Sequence, residues 1–159
     1  GNLSDGDGCS SKCLGEIFIP RLTELLKTGD LKTRAVAIRS LGYYDEEARE
    51  ALSVVVGLCD DPSDELRGLA VSAVGAIGEP ADVLSVAGRA LKDRSSGVRD
   101  SACVALSDLG RAAVPLREVL QTMAREDEDD GVRWQAGEAW TSILERLHDP
   151  EWLDATRDW

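Results

Sequence analysis

The 159-residue chain has little aromatic content, 4% as Phe, Trp and Tyr, and it holds one histidine, one methionine and one phenylalanine. A single histidine, His148, excludes any metal centre built from several imidazoles. It also leaves the serines and cysteines without a histidine base in a repeated register, and no GxxxxGK phosphate loop occurs. Positive charge is scarce as well. Lys plus Arg total 18 against 30 for Asp plus Glu, a formal net charge of −12. Phosphate binding needs the opposite field, so a nucleic-acid partner is disfavoured. No apolar run approaches the roughly 18 residues of a membrane span, and the N-terminus lacks the basic-then-apolar order of a secretory signal. The expected setting is the cytoplasm, with no membrane contact. Gly1 stands where an initiator methionine would, so no targeting signal is read from that end.

Four cysteines have two kinds of context. Cys59 and Cys103 lie among Val, Leu and Ala, where a free thiol behaves as a small buried hydrophobe. Cys9 and Cys13 form a CxxxC in a Gly/Ser/Asp-rich leader, with no further ligands to complete a four-coordinate site. No metal and no cofactor is expected. The acidic run Glu126–Asp130 reads as a solvated turn, not an acid/base dyad.

What the chain does have is a repeat. Arg34, Arg67, Arg99 and Arg133 are 33, 32 and 34 residues apart. Three residues after each comes Ala37, Ala70, Ala102 or Ala136; six after comes Ser40, Ala73, Ala105 or Ala139. An apolar residue follows: Leu41, Val74, Leu106 or Trp140. These offsets share one helical face, and small residues there admit a close neighbour. A second helix precedes each, its apolar positions recurring at helical spacing, as in Val83, Val86, Ala90 and Leu91. Turn residues separate the two: Thr28-Gly29-Asp30, Asp60 to Asp64, Asp93 to Gly97, and the acidic run ending in Gly131. The expectation is an all-α fold with helix pairs near 16–42, 45–77, 80–109 and 111–147.

The order of a proline in the first helix, an aspartate in the turn, an apolar residue and Arg opening the second helix, then Ala, a small residue, Leu and Gly, resembles the HEAT repeat. Its flavour is similar to the short phycobilisome-lyase-type repeats; Pro20 and Pro115 supply the proline in the first and last copies. The resemblance covers about residues 16–147. It implies a right-handed α-α superhelix, a solenoid of about four helix pairs, with residues 1–15 as a leader and 148–159 as a short C-terminal capping helix or tail. It also implies an aspartate–arginine ladder between successive turns, pairing Asp61 with Arg67, Asp93 with Arg99, and Asp127 with Arg133.

In such arrays the second helices line the concave face, and the positions one and five after each arginine are expected to point into it. These are Ala35 and Arg39, Gly68 and Ser72, Asp100 and Val104, Trp134 and Glu138, with Tyr43 and Tyr44 near the Arg39 end. Arg39, Ser72, Asp100, Trp134 and Glu138 are the candidate binding residues, and Trp134 is the expected anchor. All four tryptophans fall after residue 133: Trp140 at a core position, Trp152 and Trp159 in a segment begun by Asp149-Pro150. That segment is expected to cap the array. The function that fits is a non-enzymatic scaffold binding a protein or peptide, basic or of mixed charge. The resemblance leaves two alternatives: an accessory subunit or lyase handling a tetrapyrrole, and a HEAT-type DNA glycosylase.

Overall fold

A computed structural model describes residues 11–147. The expectations placed on Cys9, His148, Trp152, Trp159 and the capping segment lie outside these residues. Within them the chain is helical, without a strand. Helices α1 (Ser11–Thr28) and α2 (Leu31–Leu41) form the first pair. A 3-10 segment, Asp45–Ala51, leads into α3 (Leu52–Leu58), which pairs with α4 (Asp64–Ile77). Helices α5 (Pro80–Ala90) and α6 (Ser96–Leu109) follow. A second 3-10 segment, Gly110–Leu116, leads into α7 (Arg117–Glu126) before α8 (Asp130–Leu147). Two departures from the sequence pattern stand out: α1 begins at Ser11, and two outer helices open as 3-10 turns. Pro115 lies inside the second of these, where its missing N–H cannot support an α-helical bond.

Local chemistry sets the helix starts. Asp30 accepts from Thr33 N at 2.8 Å, Ser63 faces Leu66 N at 3.4 Å, and Asp129 accepts from Gly131 N and Val132 N. Helix α5 opens on a capping box between Glu79 and Asp82, with Pro80 in its first turn. At the far end of α6, Gly110 has φ +58°, a left-handed conformation suited to glycine, and the Arg146 side chain occupies the space a Cβ would need.

The arginine-opened helices α2, α4, α6 and α8 lie side by side as an inner layer, and α4 against α6 is the most extensive pairing. The outer helices meet one another less. Small residues set this spacing: Ala70, Ala102 and Ala136 are fully buried, and a Cβ on Gly75 would come within 3.1 Å of Ala105 Cβ. The core between the layers is aliphatic, with Leu26, Ile38, Leu66, Ile77, Leu106, Leu120 and Ile143 inaccessible; Trp140 and Cys59 pack against its margin, and Cys103 is buried within it.

The ladder runs one repeat out of step with the expected pairing. Arg67 Nε and Nη2 each donate to Asp93 at 2.8 Å, and Arg99 Nε and Nη2 donate to Asp127 at 2.9 and 2.8 Å. Arg34 Nη2 reaches Asp61 at 2.6 Å. Each carboxylate therefore serves the arginine of the preceding repeat. Arg67 and Arg99 touch their own turns only through the backbone, Arg67 Nη1 donating to Asp61 O at 3.0 Å and Arg99 Nη1 to Asp93 O at 3.0 Å, and Arg133 Nη1 likewise donates to Asp127 O at 2.6 Å. The geometric reason is that each aspartate is already turned inward by its own loop. Its Oδ1 accepts from the N–H two residues on, Ser63, Ser95 or Asp129, which leaves the carboxylate face toward the previous arginine. Arg133, the last of the series among the described residues, lies beside Asp130 of its own helix.

Arg67 and Arg99 are 6% and 7% exposed, so these guanidinium–carboxylate pairs are bidentate and largely desolvated. Removing one partner strands the other, and Arg99→Ala should lower stability by about 2–4 kcal/mol in urea melts, whereas Arg94→Ala in the exposed turn should leave the midpoint in place. Hydrogen bonds from Arg67 and Arg99 hold the carboxyls of Asp93 and Asp127 below the ordinary value of 3.8. At Asp61, burial works upward but is outweighed by the Ser63 N–H and by Arg34. A depressed carboxylate contributes stability fully above its unfolded pKa and loses it as pH falls through its folded value. The thermal midpoint should therefore hold from pH 7 to about 5 and fall below about pH 4, and Asp127→Asn should lower the neutral-pH midpoint while flattening that acid limb.

Candidate functional site: the inner-helix face

The residues five after each arginine, Arg39, Ser72, Val104 and Glu138, are all exposed on the inner layer. One helical turn further along the same face come Tyr43, Ala76 and Asp108, also exposed. Tyr43 is 86% exposed, while Tyr44 packs partly against the core. Ala76 and Asp108 were not singled out from sequence; their spacing of four from Ser72 and Val104 is the signal that places them on this face.

The residues one after each arginine point elsewhere, which corrects the expected concave lining. Ala35 and Gly68 are buried, and a Cβ on Gly68 would meet Ser101 Oγ at 3.4 Å and Gly97 O at 3.7 Å, both on α6. This register position faces the next inner helix. Asp100, in the same register, is half-buried, and burial followed by the charge of Asp129 pushes its carboxyl above the usual value. Trp134 shares that register on α8, beyond which no inner helix lies among the described residues, and it is 65% exposed. Its register differs from that of Arg39, Ser72 and Glu138.

Between α2 and α4 lies an open groove of about 280 Å3, lined by Ile38, Arg39, Tyr43, Leu69, Ser72 and Ala76 among others. A second depression of about 290 Å3, reaching the starts of α4 and α6, shares Arg39, Leu69 and Ser72 with it and adds Glu65, Ser95 and Ser101. The two adjoin at these shared residues and together touch three inner helices. Arg39 Nη2 lies 3.4 Å from Glu65 Oε1, with both side chains more than half exposed, so this pair is weakly held and open to exchange for a ligand. Depressions of this size and openness accept side chains of a chain laid across them; small-molecule sites enclose their ligand more fully.

Among the described residues no group of three or more His, Cys, Asp or Glu is placed to hold a metal ion, and no helix is long and apolar enough to cross a membrane. The thiols are set for packing. Burial pushes Cys59 up to about 11 and Cys103 up to about 12. A thiol in that range is almost wholly protonated at neutral pH and is a poor nucleophile.

The family profile for HEAT repeats matches residues 19–86 and 60–141. The chain belongs to the HEAT repeat family. A solved structure described as the crystal structure of an engineered protein, from the Northeast Structural Genomics Consortium, is similar at 20% identity with a TM-score of 0.63. The likeness covers 84% of this chain but spans only 65% of that one, and at this identity it concerns the fold alone. No curated protein matches the chain.

The thiol environments give a direct test. At pH 8 in the native protein, iodoacetamide should leave Cys103 unmodified and label Cys59 slowly, as read by peptide mass mapping, and both should label rapidly in urea. Fast native labelling at Cys103 would contradict its burial.

Proposed function

We propose that this chain is a non-enzymatic interaction scaffold that receives a protein or peptide segment on its inner-helix face, in the cytoplasm and without a cofactor. The observation that carries this reading is the pair of adjoining depressions across α2, α4 and α6, flanked by a row of side chains that are exposed among the described residues. Membership of the HEAT family supports it, since stacked helix pairs build extended concave surfaces suited to such ligands. The net charge of −12 favours a basic or mixed-charge partner and steers its approach. Such steering should fade as salt shortens the Debye length to about 8 Å at 0.15 M.

The face can be tested without naming the partner beforehand. A photo-crosslinking amino acid at position 72 should yield a recurrent adduct in cells, and the same group at position 117, on the outer layer, should not. With the adduct's protein in hand, Ser72→Arg should weaken its binding at least tenfold, with the helical circular-dichroism signal intact, while Arg117→Ala leaves it unchanged. Loss of binding on changing Arg117 or Arg49, with Ser72→Arg neutral, would assign function to the outer layer.

A further inference from the structure

We infer, on the basis of the scaffold reading above, that the inner face is chemically divided along the array, and that its ligand is an extended segment carrying an apolar anchor for the α2/α4 groove and basic residues for the α6/α8 seam. At the first end the groove walls are Ile38, Leu69, Ala73 and Ala76, with the exposed ring of Tyr43 above them. The cation there, Arg39, is offset by Glu65, so this end is apolar and close to neutral. At the other end the exposed inner positions are Val104, Asp108 and Glu138, and Asp100 on the same helix α6 is half-buried. Arg133 is held by Asp130 and the Asp127 carbonyl, and Arg146 lies over Gly110.

The geometry also fixes a spacing. Packed helices lie about 8–10 Å apart, so the α2/α4 groove and the α6/α8 seam, two helix spacings apart, are separated by about 16–20 Å. An extended chain advances about 3.3–3.6 Å per residue and covers this in about five or six residues. A helical ligand, rising about 1.5 Å per residue, would need about twelve.

Synthetic peptides test this directly. One probe carries two leucines and two arginines separated by five Gly/Ser residues, made in both chain directions; a control has the same composition with the four residues contiguous. Amide chemical shifts of the labelled full chain, followed to millimolar peptide, report both affinity and location. One direction of the spaced probe should bind at least fivefold tighter than the control and shift amides around both Ala76 and Glu138. Glu138→Lys should abolish that advantage, and Ala76→Trp, which fills the groove, should do the same while leaving the arginine-end shifts in place. Equal affinity for the contiguous control, or indifference to Glu138→Lys, would overturn the division while leaving the face as a binding surface. Shifts confined to the acidic turn around Glu128, with none on α2 or α4, would overturn the scaffold reading as well.

Discussion

Everything in this array depends on how a guanidinium is shared between two turns. Arg67 and Arg99 each grip the aspartate of the following repeat with two parallel hydrogen bonds and hold a carbonyl of their own turn with a third. A charge this far from water costs stability unless every donor is used, and among the described residues no buried side-chain nitrogen or oxygen lacks a partner. The clasp is directional, fixes the distance between successive turns, and sets the starts of the inner helices in line. Methyl-sized residues then let those helices close up, so the side chains left outside form rows instead of isolated points.

Periodicity made the repeat legible, and with it the helix pairs and the buried alanines. A period states which residues recur. It does not state which neighbour each one faces. An arginine has an aspartate six residues behind it and another 26 to 28 residues ahead, and only the inward twist of the carboxylate by its own loop decides between them. The same ambiguity bears on Trp134: its register faces the next inner helix at Gly68, whereas no inner helix follows α8 among the described residues. The groove was the least legible feature, because it is the gap left by packing: Leu69 and Ala76 are ordinary helix residues until α2 and α4 are set side by side.

A flat-lined inner face suits a ligand that supplies the large side chains itself. Arg39 and Tyr43 are the longest groups facing the α2/α4 groove, and the floor between them is alanine, serine and leucine. Carboxylates toward α8 then add direction to a surface whose shape alone would accept a segment in either sense.

The forward reach of each clasp makes the array a chain of identical couplings. Every interior unit offers an aspartate backward and an arginine forward. Excising or duplicating one whole 32-residue period, such as residues 80–111, leaves the joined arginine and aspartate 28 or 26 residues apart, as before. The first unit differs, having Thr28 where the others have the turn aspartate, and Arg34 reaches back to the Leu26 carbonyl. Copy number can thus vary among the interior units with the same arginine–aspartate clasp at each junction.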